Sequence, residues 1–131
     1  MVEIHAYSKA ASGGKQLSAH FKVREFACGD GSDAVLVAPR LVMVLETIRS
    51  HFGTAVMINS GYRTPQYNKQ VGGAAHSQHC YGMAADVTVR GHAPAEVAAF
   101  ARTLMPDWGG VGVYDSFCHI DVREAKADWA G

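Results

Sequence analysis

Histidine and carboxylate side chains alternate with apolar residues in a segment that predicts a β-strand near the end of the chain. In residues 117–122, FCHIDV, strand alternation puts His119 and Asp121 on one face. A face with both groups is costly to bury without partners, so it faces either water or a functional site. A second strand-like segment, MAADVTV, carries Asp86 among small apolar residues. Two adjacent strands would bring Asp86 and His119 together, and His79 would complete a metal site of three residues.

The chain contains seven histidines but only five phenylalanines and two tryptophans, an excess that directs attention to metal binding. Its three cysteines form no CxxC pair, which favours free thiols in a reducing compartment. Cys118 is adjacent to His119, but strand alternation turns the two side chains to opposite faces. The cysteines are therefore left out of the predicted site. His76, three residues before His79, is interpreted as a polar residue at the rim.

The segment His119-Ile120-Asp121 also begins the pattern of the non-haem iron oxygenases, which bind iron through two histidines and one carboxylate. In the usual order of that pattern, the other histidine follows downstream. No histidine follows His119 in this chain, so the sequence disfavours an oxygenase.

The surrounding elements predict a small α+β domain. A helix begins at Pro39, repeats apolar residues at spacings of three and four, and ends at Gly53. Neighbouring strands near the C-terminus, with helices outside them, predict a small antiparallel sheet with flanking helices. The other predicted elements are strands at 55–59, 83–89, 110–114 and 117–122, the last two joined by a hairpin at Asp115-Ser116, and helices at 65–71 and 94–105. The methionines at core positions of these elements are Met43, Met57, Met83 and Met105.

Length and composition suit one domain of 131 residues, with an N-terminal arm at 1–20 and a single domain at 21–131. Twelve Lys+Arg balance twelve Asp+Glu, which argues against nucleic acid or an anionic membrane as a partner. No apolar run is long enough for membrane insertion. The first residues lack the apolar core of a signal peptide, so we expect synthesis in the cytoplasm.

Several blocks of the sequence resemble one enzyme family. SQHCYGMAAD at 77–86 resembles the SxHxxGxAxD signature of the zinc D-Ala-D-Ala metallopeptidases. The blocks that agree with it are SGYRTPQYN at 60–68, GGAAHSQH at 72–79, GGVGVY at 109–114 and FCHIDVR at 117–123. Together they resemble peptidase family M15, subfamily A, in its short phage-type form. The resemblance implies the hedgehog/DD-peptidase fold.

Residue by residue, the resemblance implies a Zn²⁺ site. His79 and Asp86 match the first two ligand positions. The third ligand lies in the FCHID block, where His119 is favoured and Asp121 is the alternative. Two imidazoles and one carboxylate leave a fourth position for water, which is typical of catalytic zinc sites.

The position of the general base departs from the family pattern. Many relatives have Glu, Asp or His a few residues before the last ligand. Ser116 stands three residues before His119 in this chain, and a hydroxyl does not accept a proton at neutral pH. Asp115 and Asp121 are the two candidates to handle protons. Arg63 matches the arginine that polarises the scissile carbonyl and stabilises the oxyanion.

The implied function is a zinc-dependent peptidase that hydrolyses peptidoglycan stem or cross-link peptides, of the D-Ala-D-Ala carboxypeptidase or endopeptidase type. Ser77 would hydrogen-bond near the metal or contact the substrate, and Tyr114 would line the cleft. The alternative is a catalytically weak zinc-containing module that binds cell-wall peptide or a protein partner. We expect a monomer that acts on the cell wall after release or as part of a phage particle.

Overall fold

The computed structural model describes all 131 residues, which form seven strands and four α-helices. The strands are β1 His5–Ser8, β2 Ala34–Val37, β3 Val56–Ser60, β4 Ala84–Val89, β5 Gly110–Val113, β6 Cys118–Asp121 and β7 Ala127–Ala130. The helices are α1 Lys9–Ser12, α2 Pro39–Phe52, α3 Pro65–Gln70 and α4 Pro94–Leu104, with 3₁₀ helices at Val23–Phe26 and Gln78–Tyr81. The fold belongs to the α+β class that the sequence predicts.

A five-stranded sheet in the order β3-β4-β6-β5-β7 forms the centre of the fold. Strands β3 to β6 pair antiparallel, as predicted, and β5 and β6 are the two arms of the expected hairpin. Strand β7 was not predicted, and it adds to the free edge of β5 in parallel. A separate antiparallel pair is formed by β1 and β2.

The hydrophobic core lies between one face of this sheet and the helices α2 and α4. Leu41, Leu45 and Ile48 of α2 are buried there, and they pack with the inward residues of β4 and β6, including Val87 and Ile120. Each such side chain contributes about 1.5–3 kcal/mol by leaving water. Because side chains alternate along strands, Asp86 and His119 emerge on the opposite face. The core thus holds the sheet that presents them.

Local signals explain where the helices begin and end. Helix α2 has Pro39 in its first turn and ends at Gly53, whose φ of 65° only glycine adopts without strain. Helix α3 is capped by Thr64, whose hydroxyl accepts the backbone N–H of Tyr67 at 3.2 Å. No helix combines the length and the apolar character needed to cross a bilayer.

The first residues of the chain are ordered against the domain. Strand β1 pairs with β2, an apolar run that was not predicted to be a strand. Asp33 secures the turn into α1, because its carboxylate accepts the Ser8 hydroxyl at 2.7 Å and the Ala10 N–H at 2.8 Å. The division of the chain at residue 20 stays a prediction.

The prediction that the methionines pack in the core is wrong for two of them. Met43 is 68% exposed and Met57 is 58% exposed, whereas Met105 is fully buried. Met43 lies on the outer side of α2, and Met57 alternates with the inward-facing Val56 on β3. Residue type alone therefore gave a wrong prediction of burial for Met43 and Met57, because both positions face away from the core.

Candidate metal centre

Strand register brings two of the predicted ligands side by side. Asp86 on β4 is directly opposite His119 on β6, and His119 is flanked on its other side by Gly112 of β5. Side chains of directly opposed residues lie on the same face of a sheet. The expectation that adjacent strands join Asp86 and His119 is therefore confirmed.

The third predicted ligand, His79, lies on the 3₁₀ helix that precedes β4. Ser77 caps this helix, because its hydroxyl accepts the His79 N–H at 3.2 Å. The helix ends at Gly82, which has a φ of 74° and fits against the backbone of Leu36 with no room for a side chain. This tight turn carries the chain from His79 back to Asp86.

The three side chains converge in a buried cluster. One possible ligand atom from each of His79, Asp86 and His119 lies within 4.8 Å of the others. Oδ1 of Asp86 is 3.2 Å from Nε2 of His79 and 2.9 Å from Nδ1 of His119. Each residue is less than a tenth exposed.

Each imidazole forms a hydrogen bond on the side away from the cluster, and this bond determines which of its two nitrogens carries the proton. Nδ1 of His79 lies 2.8 Å from the Gly61 carbonyl, which can only accept, so this nitrogen carries the proton. Nε2 of His119 likewise donates to Oδ2 of Asp121 at 2.8 Å. In the neutral rings, two nitrogen lone pairs and Oδ1 of Asp86 therefore point at one another without a donor between them. Such a set of acceptors fits a cation.

The charges of the cluster also favour a cation. Burial opposes ionisation of Asp86, but the neighbouring imidazoles of His119 and His79 outweigh it and hold the pKa of this carboxyl well below its usual range. The pKa of Asp121 is lowered against burial in the same way, by His119 and Arg123. Burial lowers the pKa of His119, and its two carboxylate partners more than compensate, so the net shift is upward. A metal ion would compete with a proton for the inward nitrogen of this ring, so metal binding is expected to depend on pH.

Arg63 joins the cluster from the loop after β3. Its guanidinium donates to Ser60 Oγ at 3.1 Å, to Asn68 Oδ1 at 3.2 Å and to Asp86 Oδ2 at 3.4 Å. The side chain is 15% exposed, and it lines the cleft next to the cluster. Since Asn68 is in turn held by the Ala74 carbonyl, the arginine is fixed from several sides.

The two carboxylates proposed from the sequence as proton acceptors occupy different surroundings. Asp121 is fully buried behind His119, and Arg123 donates to it through Nε at 2.8 Å and Nη2 at 2.7 Å. Asp115 is exposed on the turn between β5 and β6, forms no side-chain hydrogen bond and does not line the cleft. The structure brings Asp121, but not Asp115, into contact with the cluster.

The cluster opens into a cleft of about 410 Å³. Of the residues singled out from the sequence, Ser77, Tyr114 and His76 line it. Arg123 and Trp129 also form its wall, although no sequence pattern had singled them out. Alternation continued past Asp121 would have placed Arg123 on the same face as His119, and so could have identified it. The four residues of β7, which include Trp129, show no pattern that predicts a strand.

The cysteines lie outside the cluster, as predicted. Cys118 is buried in the hydrophobic core, and burial raises the pKa of its thiol to about 12. Cys28 is also buried, and Cys80 is partly exposed. All three are free thiols.

Comparison with known proteins identifies the family of this chain. No curated protein matches the chain. The family model described as Peptidase M15 matches residues 13–121, which include the cluster, Arg63 and most of the cleft. Because this match covers most of the chain, the protein belongs to the peptidase M15 family.

Proposed function

We propose that this protein is a zinc-dependent peptidase that hydrolyses peptidoglycan stem or cross-link peptides. Membership of a peptidase family implies a peptide substrate. The observation that carries the zinc requirement is the convergence of three buried acceptor atoms with no donor between them. Peptidoglycan as the source of the peptide rests on the resemblance of the sequence blocks to the D-Ala-D-Ala peptidases.

The ligands we propose are Nε2 of His79, Oδ1 of Asp86 and Nδ1 of His119. Two neutral imidazoles and one carboxylate are a donor set that zinc accepts while a further position stays open. When bound there, Zn²⁺ supplies a Lewis acid and lowers the pKa of a bound water to about 7. Asp121 holds His119 in the required tautomer, and Arg123 balances the charge of Asp121.

Arg63 is proposed to bind the carbonyl oxygen of the scissile bond. A guanidinium stays protonated at all relevant pH values and offers several donors in one plane. Its interaction strengthens as the carbonyl oxygen gains negative charge, so it favours the tetrahedral state over the planar amide. The fixed position of Arg63 beside Asp86 supports this role, because little reorganisation is needed when the charge develops.

Asp115 and Asp121 are the two carboxylates proposed to accept a proton from the attacking water and pass it to the leaving amine. Asp121 contacts His119 but is fully buried, whereas Asp115 is exposed on the turn next to Tyr114, which lines the cleft. If Asp115 is the base, Asp115→Asn should lower turnover by about a hundredfold or more while zinc stays bound. His76→Gln is the matched comparison, because His76 also lines the cleft. If only the His76 variant loses turnover, Asp115 is not the base.

A second function is a module that binds cell-wall peptide or a protein partner through the same zinc site. The observation that favours it is the absence of both Asp115 and Asp121 from the walls of the cleft. Such a module would bind peptide with Arg63 intact but release no product.

The experiment that separates these functions is mass spectrometry of purified peptidoglycan fragments after incubation with the protein. Loss of a terminal D-Ala would identify a carboxypeptidase, and internal cleavage would identify an endopeptidase. A chelator and the Asp86→Ala variant should both abolish the products, and zinc should restore activity only to the chelated wild type. Binding without any product would establish the module, and neither binding nor product would refute the peptidoglycan assignment.

A further inference from the structure

The C-terminal strand supplies a wall of the cleft. Strand β7 pairs in parallel with β5, and this register places Trp129 beside Gly112. A Cβ atom on Gly112 would lie 2.5 Å from the indole, so the glycine makes room for the ring. The indole lies 5.0 Å from the His119 ring, measured between centroids. Trp129 thus reaches the candidate metal centre from outside the segment that matches the family.

One hydrogen bond links this strand to the residue at the end of β5. Nε1 of Trp129 is 2.8 Å from the hydroxyl oxygen of Tyr114. An indole nitrogen only donates, so the Tyr114 oxygen must accept this bond. The Tyr114 hydroxyl makes no other hydrogen bond within the protein, and the residue lines the cleft. Its own proton is therefore free for an acceptor in the cleft.

Packing fixes both rings in place. The Tyr114 ring stacks on Phe117 at 4.5 Å between centroids with an interplanar angle of 11°, and Gly131 covers its edge. The Arg123 guanidinium lies 5.5 Å from the centroid of the Trp129 ring, while Arg123 itself is anchored by Asp121. A donor held this rigidly loses little conformational entropy when a ligand binds.

We propose that Trp129 sets the Tyr114 hydroxyl as a hydrogen-bond donor to a backbone carbonyl oxygen of the bound peptide. Tyr114 is then a residue that contacts the substrate, and Trp129 is a positioning residue that acts through it. This inference rests on the proposed function for the identity of the ligand as a peptide. It assigns a role to the C-terminal strand, because β7 alone brings Trp129 to the cleft.

The hydrogen bond itself can be tested by NMR without any turnover. The chain has two tryptophans, so the ¹⁵N-labelled protein shows two indole N–H signals, and Trp129→Phe assigns them. Tyr114→Phe should shift the Trp129 signal and leave that of Trp108 in place, since Trp108 packs against Arg40 outside the cleft. An unmoved Trp129 signal would overturn the proposal.

The consequence for the substrate is tested with the stem pentapeptide L-Ala-D-Glu-L-Lys-D-Ala-D-Ala. Trp129→Phe keeps an aromatic ring but removes the N–H donor, and it should weaken peptide affinity, or raise KM, about 3- to 10-fold with kcat nearly unchanged. In the Tyr114→Phe background the same change should have no further effect. Trp108→Phe is the matched control and should behave as wild type.

The outcomes distinguish this inference from the proposed function. Hydrolysis by wild type with an equal KM in the Trp129→Phe variant overturns the inference alone, as does a Trp129 effect that persists without the Tyr114 hydroxyl. Binding without hydrolysis, weakened in both variants, refutes the peptidase and supports the inference. A wild-type protein that neither binds nor cleaves the pentapeptide refutes both.

Discussion

At the scale of single residues, the hydrogen-bond acceptor on the outer side of each imidazole explains why His79 and His119 can act as metal ligands. The Gly61 carbonyl accepts a hydrogen bond from the His79 ring N–H, and the Asp121 carboxylate accepts one from the His119 ring N–H. This leaves the inward nitrogens of His79 and His119 as acceptors. Removing an inward acceptor should therefore remove metal, whereas a histidine outside the cluster should be dispensable.

The purified protein is expected to hold one zinc ion per chain. The His79→Ala, Asp86→Ala double variant should lose it, because two of the three convergent atoms are gone. His76→Ala is the control, since this histidine is nearby but lies outside the cluster. Elemental analysis after dialysis measures the content. Full zinc retention in the double variant would refute the site.

Arg63→Ala is expected to lower kcat by about a hundred- to a thousandfold, because one donor to the developing oxyanion is lost. Zinc content should not change. Arg63→Lys should restore only part of the rate, since an ammonium does not reproduce the planar fork. Arg90→Ala, at an exposed position that lines no part of the cleft, is the control for steady-state kinetics. Undiminished hydrolysis by Arg63→Ala would contradict the mechanism.

The lowered pKa of Asp121 predicts that the free energy of unfolding of the metal-free protein depends on pH. Its pKa is lower in the folded state than in the unfolded chain, so its ionised form stabilises the fold above about pH 4. This contribution is lost as the pH falls towards the folded-state pKa. Asp121→Asn should cost about 3–5 kcal/mol of unfolding free energy at pH 7, because His119 and Arg123 lose a buried partner.

The cost of Asp121→Asn should shrink at pH 2, where the wild-type carboxyl has lost most of its advantage. Urea unfolding of chelated protein at both pH values measures it. Asp107→Asn is the control, because Asp107 is exposed and forms no side-chain hydrogen bond or ion pair. A cost for Asp121→Asn that does not change with pH would contradict this account.

At the scale of elements, the turn between the 3₁₀ helix and β4 sets the distance between two ligands. Gly82 adopts a positive φ, and a Cβ atom there would lie 2.6 Å from the Leu36 backbone. The carbonyl of Gly82 also accepts the Ala38 N–H at 2.8 Å, which ties this turn to β2 and α2. The position of His79 thus depends on a contact between segments far apart in sequence.

Gly82→Ala should therefore both destabilise the fold and weaken zinc binding. Gly91→Ala is the matched control, because Gly91 has a φ of 80° with open space around it. The control should cost only the strain of a left-handed residue, about 1–2 kcal/mol, and leave zinc affinity unchanged. Urea unfolding and competition titration against a zinc indicator measure the two effects. Equal behaviour of the variants would mean that the contact with Leu36 is unimportant.

At the scale of the whole molecule, one hydrophobic core supports the candidate site, and two of the three thiols belong to that core. Cys28 and Cys118 are buried, while Cys80 is partly exposed next to a predicted ligand. Replacing all three by alanine should leave zinc content unchanged and cost about 1 kcal/mol for each buried thiol. Metal analysis and thermal unfolding test this. Loss of zinc would show that a thiol contributes to the site.

The whole fold also shows which helices and strands the sequence patterns predict correctly. Helix α2 was predicted with its ends because Pro39 and Gly53 are local signals and the apolar spacing is regular. Strands β4 and β6 were predicted because alternation is a local property. Strand β7 was not, since a four-residue edge strand has little pattern of its own and forms only against β5.

Residue types at short, regular spacings are enough to predict the α+β class, the face of β6 that carries His119 and the family resemblance. They do not predict that Asp121 lies behind His119 with Arg123, that Asp115 stays outside the cleft, or that Trp129 forms its wall. These arrangements depend on strand register and on contacts between distant segments, and no local pattern records either.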